Sequence, residues 1–537
     1  MSATSTVAKR GFWRTNIEAF TVAVVMALLI KQFAFEAFQV PTESMEPAII
    51  GRNPGGDRII VDKAAALLGD PQRFEVQVFM YPLSQRVNYV KRLMGMPGET
   101  LKIAHGDIFT ASNAAGPFSV ARKDIGVQAA LFDANPVIPA ADWTDFRGGR
   151  IWNTWQRPAA GAAVDPKGQL RLEAGPVELL VGLSAPVTPE RHDPLASTRR
   201  GRADETIRLP VGDMRFSVEV TPEAGAGALI MRITDGTQVT TPMRLELAVE
   251  GATTPSRLMH GARVIDCAAL TATRLKPGVS TRIVFENADD RLRVLLDGTE
   301  ICRDEYKQSV VPLAGGESRV AFGLTSGSAS FSSLGLERDI YTTLFDGSGD
   351  TFHVPAGHYL MLGDNSANSL DARAFRIVGI RMRDDGRVLL GDLEAVSDEF
   401  DSPRQDNNPW LDNADASDAE RPHHFMDIAG NHLRLSNGSY DILDLTQFPN
   451  KDGVGLMQLH GTKCDKPSDA QLAHRAMDTR TLEMLTAHAP HAFRARSVLM
   501  HYVPRHFVLG RAAFVFLPAG DSIFDSLFEL KAYRVIR

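Results

Sequence analysis

The sequence predicts a mainly β protein behind one N-terminal transmembrane helix, and two observations lead to this prediction. The run from Ala19 to Ile30 contains a single polar side chain, Thr21, which is typical of a helix in apolar surroundings. Short alternating runs, separated by Gly, Pro, Asn and Asp, recur along most of the remaining chain, which is typical of antiparallel strands.

The composition is that of an ordinary globular protein. Hydrophobic residues make up 44% and charged residues 23% of the 537 residues, which excludes a disordered chain and a polytopic membrane protein. The formal net charge of −7 gives no electrostatic reason to bind nucleic acid. At about 100–200 residues per domain, the length indicates roughly three domains.

The apolar run follows three basic residues, Lys9, Arg10 and Arg14. The run alone is shorter than the roughly 20 residues that a bilayer requires, but its apolar flanks bring it to that length. Basic residues favour the cytoplasmic side of a membrane. We therefore predict a cytoplasmic segment at 1–14, a transmembrane anchor at 15–37 and an extracytoplasmic remainder. A cleaved signal peptide and a buried core helix are the alternatives.

Three cysteines, Cys267, Cys302 and Cys464, are too few for a disulfide framework. Cys267 and Cys302 could pair in an oxidising compartment, and the sequence leaves this open. The spacing of Cys and His residues does not resemble a zinc site, so the sequence predicts no metal site.

The pattern of strands changes along the chain. Residues 38–110 and 339–373 carry short strand-like runs between turns, whereas 111–338 carry evenly spaced alternating runs that predict an antiparallel β-sandwich. The alternating runs are Arg215–Val220, Ala228–Ile233, Met243–Val249, Thr281–Glu286, Arg291–Leu296 and, after the hairpin signal Asp297-Gly298, Thr299–Cys302. The stretches RLRVLLDGTEICRD and RVAFGLTSGSASFSSLGLER resemble the end of a concanavalin-like jelly roll.

The region 374–500 has a mixed character. Residues 397–422 form an acidic, loop-like stretch, and the remainder mixes short strands with one predicted helix near 468–488. The sequence therefore predicts a second, α+β region. Residues 501–537 then predict a final strand and a polar tail.

A serine lies in a turn between two prolines directly after the anchor, in FQVPTESMEPAI at 38–49. Ser44 stands between Pro41 and Pro47. By itself, such a turn is a common loop and does not indicate catalysis.

A lysine lies inside an apolar, strand-like run, in NYVKRLMGMPGE at 88–99. Base rates favour Lys91 as a surface residue whose charged head reaches water. In an apolar site, however, burial lowers the pKa of a lysine, and the neutral amine can remove a proton from a serine hydroxyl. Ser–Lys pairs are a known variant of the nucleophile–base pair.

Polar residues at a spacing of two end the stretch GHYLMLGDNSANSLDAR at 357–373. If this segment is extended, Ser369, Asp371 and Arg373 point to one face and could position neighbouring groups. On a surface, the same ion pair would contribute little.

In chain order, the anchor, PTESMEP, YVKRLMGMPGE, GHYLMLGDNSANSLDAR and VPRHFVLGRAAFVFLP resemble the sequence boxes of bacterial type I signal peptidases, and they cover well under half of the chain. The resemblance implies a signal-peptidase-type β catalytic core with two insertions. The core parts would be 38–110, 339–373 and 501–537, and the insertions the sandwich at 111–338 and the α+β region at 374–500.

The resemblance assigns a role to each matching residue. Ser44 would be the nucleophile and Lys91 the general base. The remaining matches are Thr42 with the Ser44 backbone for the oxyanion, Ser369 for orienting the lysine, Asp371, Arg373 and Arg92 for structural support, and Val40, Met45, Tyr89 and Val90 for substrate pockets.

Two local departures from the family pattern stand out. Ala372 replaces the usual serine between the aspartate and the arginine. Phe74-Glu75 replaces the usual Gly-Asp before the strand at Val76, which leaves the geometry of that turn open.

The resemblance implies a membrane-anchored serine endopeptidase that removes signal peptides from secreted or membrane preproteins after small residues one and three positions before the cut. It implies a single-pass protein of the bacterial inner membrane, without metal, cofactor or nucleic-acid partner. The alternative is a catalytically retired scaffold that serves as a membrane-tethered carbohydrate- or protein-binding module. Trp143, Trp152 and Trp155 could offer stacking surface, but base rates favour burial in the core for at least some of them. A soluble self-cleaving Ser–Lys regulator is a further alternative, and the anchor argues against it.

Overall fold

The structure is a computed structural model in which the chain forms two compact units. The described residues are 12–52, 55–134, 136–138, 155–156, 158, 160–164, 168–183, 187, 210–237, 242–308, 316–344, 350–393, 397–398, 423–435, 439–447, 455–462, 497–519 and 534–536. The first unit is formed by Met1–Met94, Gly357–Gly363 and Leu370–Ile536, and the second by Gly95–Ala356 and Asp364–Ser369.

The N-terminal apolar run forms a helix, Phe12–Leu29, that continues as a π-helical turn, Ile30–Ala34. The stretch Asn16–Ala34 is long and apolar enough to cross a membrane, and none of it is buried. The predicted apolar helix is therefore confirmed, and its exposed side chains suit a bilayer. The helical segment ends at Ala34 rather than at 37, because Phe35 begins a strand.

The main sheet of the first unit combines strands from distant parts of the sequence. In spatial order they are Phe35–Gln39, Arg58–Asp62, Val508–Leu517, Val76–Tyr81, Ser84–Gly95, His358–Leu362 and Val503–Pro504, with Arg534–Val535 paired to Val508–Leu517. The alternation of Arg58–Asp62 buries Ile59 and Val61, which pack with Val76 and Val78 in one apolar core. The boxes from both ends of the chain therefore meet in a single sheet.

Residues 374–500 add two smaller sheets to the first unit. One contains Arg376–Met382, Val388–Asp392, Tyr440–Ile442 and Val498–Leu499, and the other contains Ser397–Asp398, His423–Met426 and His432–Leu435. Val378, Ile380 and Phe425 belong to one core that these strands share. The helix predicted near 468–488 lies outside the described residues.

The second unit contains two sheets that share one apolar core, which confirms the predicted antiparallel sandwich. The first sheet has the spatial order Thr299–Glu305, Arg291–Leu296, Thr281–Ala288, Met214–Pro222, Gly327–Arg338, Leu170–Ala174 and Ala162–Val164, with Pro136–Ile138 beside Gly327–Arg338. The second has the order Leu179–Gly182, Arg319–Leu324, Ala228–Thr234, Met243–Ala248, Arg257–His260 and Arg263–Ile265. Trp155 is buried in this core against Phe216 and Phe322. Trp143 and Trp152 lie outside the described residues.

The second unit also carries a four-stranded sheet with the order Thr351–His353, Thr100–Ala104, Asp107–Ala111 and Ser119–Val120. In the sandwich, the predicted Asp297-Gly298 hairpin joins Arg291–Leu296 to Thr299–Glu305. Both turn residues have positive φ, 47° and 81°, as a two-residue hairpin of type I′ requires. Among the described residues, the short α-helices are Lys63–Leu68, Ile125–Ala134 and Ala268–Ala272.

Candidate active site

The serine predicted as nucleophile lies on a short turn with its own backbone hydrogen bonds. Ser44 is the middle residue of a 3-10 turn, Glu43–Met45, and is 5% exposed. The Glu46 N–H donates to the Glu43 carbonyl at 3.0 Å, and the side chain of Met45 is buried in the core of the main sheet. The turn is therefore held from inside the fold, and Ser44 itself is buried.

Gly51 and Asp57 pack closely on the chain before this serine. A Cβ at Gly51 would lie 1.7 Å from the carbonyl oxygen of Thr42, so only glycine permits this approach. The Val40 N–H donates to the Asp57 carbonyl at 2.9 Å and ties the same segment to the loop. This contact was not predicted from the sequence, where the presence of Gly51 soon after Ser44 was its only local sign.

The lysine predicted as base reaches the serine from a neighbouring strand. Lys91 lies on Ser84–Gly95, where it pairs with Gln77, and is 3% exposed. Its Nζ lies 2.5 Å from Ser44 Oγ. At this distance a proton can pass between the two atoms without any backbone movement.

Asp371 and Arg373 form a fully buried ion pair with two contacts. Arg373 Nε and Nη2 donate to the two carboxylate oxygens at 2.8 and 2.6 Å, and the Gly363 N–H donates to the same carboxylate at 2.9 Å. Burial alone would raise the pKa of Asp371, but the charge and hydrogen bonds of Arg373, the Gly363 N–H and the nearby lysine charge bring this pKa below its ordinary value. The pair is thus a buried structural feature.

The segment that carries this pair is a turn and not the extended chain considered from the sequence. The Ala374 N–H donates to the Asp371 carbonyl at 2.8 Å, which closes the turn. Asp371 and Arg373 therefore meet through local curvature, and the alternation argument for a common face does not apply to them.

Phe74 occupies the turn position where the family has glycine, and Arg92 donates a hydrogen bond to its carbonyl. Phe74 has a positive φ of 71°, a conformation that glycine adopts without steric strain and that a bulky residue adopts rarely. Its carbonyl accepts a hydrogen bond from Arg92 Nη1 at 2.6 Å, and its N–H donates to the Leu93 carbonyl at 2.7 Å. The turn therefore keeps the left-handed backbone that the glycine would provide.

The two hydroxyls predicted to assist catalysis, those of Thr42 and Ser369, differ in burial and in contacts. Thr42 is exposed, and its Oγ1 lies 3.4 Å from Ser44 Oγ. Ser369 is buried, and its Oγ has no hydrogen-bond partner among the described residues. The lysine-orienting role of Ser369 stays a prediction.

The four residues predicted to line substrate pockets fall into two groups. Val40 and Met45 are buried in the core of the main sheet, whereas Tyr89 and Val90 are half-buried on the strand that carries Lys91. The Tyr89 ring lies beneath Lys91 Nζ, with 5.5 Å between Nζ and the ring centroid.

An aromatic stack beside Lys91 was not foreseen from the sequence. The rings of Tyr81 and Tyr89 are parallel, with centroids 4.3 Å apart, and Phe375 packs against Tyr81 edge-on. The Tyr81 hydroxyl donates to the buried carboxylate of Asp392 at 2.8 Å. Because Tyr81 and Asp392 are 311 positions apart, no local pattern could have joined them.

A second buried lysine, in the other unit, lies among carboxylates. Lys123 Nζ is 2.6 Å from Asp289 Oδ1 and 2.8 Å from Asp339 Oδ2. Burial alone would lower the pKa of Lys123, but the charges of these two acids raise it well above its ordinary value. Oxygens of Asp107, Asp213 and Asp289 lie within 4.8 Å of one another, and this grouping was not foreseen either.

Comparison with known families identifies two matching stretches. Residues 13–123 and 305–386 match the family model for signal peptidase, peptidase S26, and every predicted site residue lies within them. Signal peptidase I of Pseudomonas fluorescens is 34% identical over 93 residues, which are 16% of this chain and 33% of that protein. Signal peptidase I of Bacillus amyloliquefaciens is 33% identical over 113 residues, which are 21% of this chain and 55% of that protein. The chain thus spans about a third to a half of the length of these relatives.

Solved structures show only weak likeness to the chain. The carbohydrate binding module CBM66 from Bacillus subtilis is 11% identical, covers 34% of this chain and 95% of that chain, and has a TM-score of 0.23. A sialidase is 14% identical, covers 44% of this chain and 21% of that chain, and has a TM-score of 0.24. Likeness at this level defines neither a shared fold nor a shared ligand.

Proposed function

We propose, from the premise that the chain carries a split signal peptidase S26 domain, that it is a membrane-anchored serine endopeptidase that removes signal peptides from secreted or membrane precursors. One observation supports the catalytic part of this proposal above all others. The Nζ of a buried lysine lies 2.5 Å from the hydroxyl oxygen of a serine, and both residues fall in the sequence boxes that matched.

The chemistry would begin with proton transfer from Ser44 Oγ to neutral Lys91 Nζ. The oxygen then attacks the carbonyl carbon of the scissile peptide bond. In the tetrahedral intermediate, the Ser44 N–H and the Thr42 hydroxyl donate to the oxyanion, and one such donor typically contributes about 3–4 kcal/mol. Lys91 returns the proton to the leaving amine, which departs as the new N-terminus of the mature protein.

The remaining acyl ester on Ser44 would be hydrolysed by water. Lys91 takes a proton from the water, whose oxygen attacks the ester carbonyl, and the proton then returns to the serine oxygen as the signal peptide leaves. No step requires a group beyond the two side chains, the oxyanion donors and water.

Burial of Lys91 supports its role as a base, because loss of water disfavours an ammonium. A nearby carboxylate would reverse this effect by attracting the positive charge. Asp371 does attract a charge on Lys91, but Arg373 contacts both oxygens of the carboxylate and offsets much of its negative charge. We infer that this pairing keeps Lys91 available as a neutral base.

The substrate would bind as an extended chain that adds main-chain hydrogen bonds to a strand. We propose that small residues one and three positions before the cut enter shallow pockets near Val40, Met45, Tyr89 and Val90, while larger residues clash. Tyr89 and Val90 are half-buried and offer surface to such a substrate, whereas Val40 and Met45 are buried behind it in the core of the main sheet. The apolar N-terminal helix would hold the site near the bilayer in which such substrates arrive.

The orientation that we propose places the N-terminus in the cytoplasm of a bacterial cell and the catalytic residues outside the inner membrane. The support is the charge of Lys9, Arg10 and Arg14 before the apolar helix.

The test uses the full chain in phospholipid vesicles with a secretory precursor as substrate. Ser44→Ala should abolish cleavage, while Ser119→Ala, which changes an exposed serine on a short strand, should leave the rate unchanged. Cleavage by Ser44→Ala at the wild-type rate would overturn the assignment of the nucleophile. A wild-type chain that leaves the precursor intact would favour the retired scaffold with a binding role.

A further inference from the structure

Two thiols that are distant in the sequence meet at one edge of the sandwich. Cys267 directly precedes the short helix Ala268–Ala272, and Cys302 lies in the strand Thr299–Glu305. The Cys267 Sγ–H donates to the carbonyl of Ile301, the neighbour of Cys302, at 3.3 Å, although the two residues are 34 positions apart. The short helix that begins after Cys267 also packs against the strand that carries Cys302.

Both cysteine backbones are fixed by the elements that carry them. The pairing of Arg291–Leu296 with Thr299–Glu305 shifts between Val294 and Leu295, so that Ile301 is the extra residue of a bulge next to Cys302. The Thr271 N–H donates to the Cys267 carbonyl at 2.9 Å and fixes that residue at the start of its helix. The fold itself thus places the Cys267 sulfur against the strand that carries Cys302, next to that residue.

We propose that Cys267 and Cys302 form a disulfide bond when the sandwich is exposed to an oxidising compartment. The proposal goes beyond the peptidase activity, because all atoms that it uses belong to the second unit. It also answers whether Cys267 and Cys302 pair, which the sequence left open. The third cysteine, Cys464, would keep a free thiol.

The oxidant would be a disulfide of the thiol–disulfide exchange class, either a dithiol oxidase or glutathione disulfide. The thiolate of Cys267, which is half-buried and therefore the more accessible, attacks one oxidant sulfur and releases the other as a thiolate. Cys302 then loses its proton and attacks Cys267 Sγ, which releases the second oxidant thiolate. Two S–H bonds are replaced by one S–S bond, and two electrons and two protons pass to the oxidant.

The burial of Cys302 sets the order of these steps. Cys302 is 3% exposed, and burial together with the neighbouring thiol raises its pKa. Cys302 is therefore a poor first nucleophile but is well placed to resolve a mixed disulfide formed on Cys267. We expect closure of the bond to be slower than the initial exchange at Cys267.

The experiment counts thiols in the full chain after equilibration with a mixture of reduced and oxidised glutathione. The protein is denatured without reductant, alkylated with iodoacetamide and weighed as the intact chain. We expect one alkylated cysteine in the wild type and none in Cys464→Ser. A tryptic digest should contain one peptide pair linked through Cys267 and Cys302.

Reduction should also lower the unfolding midpoint of the sandwich by about 5–15 °C, because the crosslink restricts the unfolded chain. In Cys302→Ala this midpoint should not respond to reductant, and two cysteines should be alkylated. Three alkylated cysteines in the oxidised wild type, or a linked peptide that contains Cys464, would overturn the proposal. Since the wild type alone decides the count, poor folding of a variant does not affect the result. Precursor cleavage by Ser44 is measured separately and can fail or succeed independently.

Discussion

The two buried lysines of this chain have contrasting partners. Lys91 contacts the hydroxyl of Ser44, whereas Lys123 lies between the carboxylates of Asp289 and Asp339. Both side chains are almost fully buried, so burial penalises the charge of each ammonium in the same direction. At Lys123 the acids outweigh that penalty and hold the proton. If Lys91 is the base that we propose, the partner of a buried lysine, and not its burial alone, decides between a base and a structural cation.

The carboxylates near the two lysines also differ in their own partners. Near Lys91, both carboxylate oxygens of Asp371 accept hydrogen bonds from Arg373. Near Lys123, burial and the neighbouring carboxylates raise the pKa values of Asp107 and Asp213. We therefore expect substitutions at Lys91 to affect catalysis and substitutions at Lys123 to affect folding.

The largest expected effect is on cleavage by Lys91→Met. This change keeps the length and apolar stem of the side chain but removes the amine, and we expect kcat/KM to fall by at least about a thousandfold. The thermal unfolding profile should stay close to that of the wild type. The measurement is precursor cleavage in vesicles, and Lys102→Met, which removes a partly exposed lysine paired with Asp350, is the matched control. Activity near the wild-type level would show that Lys91 is not the base.

The next effect is on stability in Lys123→Met. Removal of the ammonium leaves Asp289 and Asp339 buried without their counter-charge, and such a loss typically destabilises by about 3–5 kcal/mol. Amide hydrogen exchange in Arg291–Leu296 at neutral pH would report it locally, while cleavage per folded molecule should be retained.

The control for this change is Lys123→Arg, which keeps the charge and should lose less stability than Lys123→Met. Unchanged exchange protection in Lys123→Met would show that the carboxylates do not depend on the ammonium, and the contrast with Lys91 would then fail.

The predictability of the two sites follows from how their residues are spread along the chain. Ser44, Lys91, Asp371 and Arg373 lie in short boxes whose order and spacing carry a recognisable pattern, and all four belong to the first unit. The turn geometry at Asp371 did not follow, because alternation alone does not distinguish a strand from a turn.

The residues around Lys123 form no recognisable pattern in the sequence. Its acids, Asp107, Asp213, Asp289 and Asp339, come from segments at least 50 positions apart, and single aspartates in loops are common. Only the pairing of distant strands brings them together. The strand pattern of the sandwich, by contrast, was predictable, because alternation and the Asp297-Gly298 signal are local properties.

A smaller effect is expected from Asp290→Asn, which tests a buried acid without an ammonium contact. Oδ1 of Asp290 has no hydrogen-bond partner in the described part of the chain, and burial raises the pKa of this carboxyl to about 6. The folded state therefore keeps its proton to a higher pH than the unfolded state, whose carboxyl titrates near 4. Stability should fall as the pH rises through this window, by at most about 2–3 kcal/mol.

Asp290→Asn should remove most of that pH dependence, because the amide stays neutral. Local hydrogen exchange in Thr281–Ala288, measured at pH 4.5 and 7.5, would compare the two chains. Equal pH dependence in both would contradict the assignment of the raised pKa to Asp290.

The smallest expected effect concerns the hydrogen bond between Tyr81, near Lys91, and Asp392 in the region 374–500. Tyr81→Phe removes the hydroxyl that donates to Asp392 but keeps the ring that stacks on Tyr89. Loss of this hydrogen bond to a buried acid should destabilise the first unit by about 1–3 kcal/mol. Because the stack beneath Lys91 remains, kcat/KM should fall by less than about threefold. Tyr81→Leu, which removes the stack as well, should raise KM more than it lowers kcat, since the Tyr89 ring loses its support. A tenfold loss of kcat in Tyr81→Phe at unchanged stability would instead place the Tyr81–Asp392 hydrogen bond within the proton chemistry of Lys91.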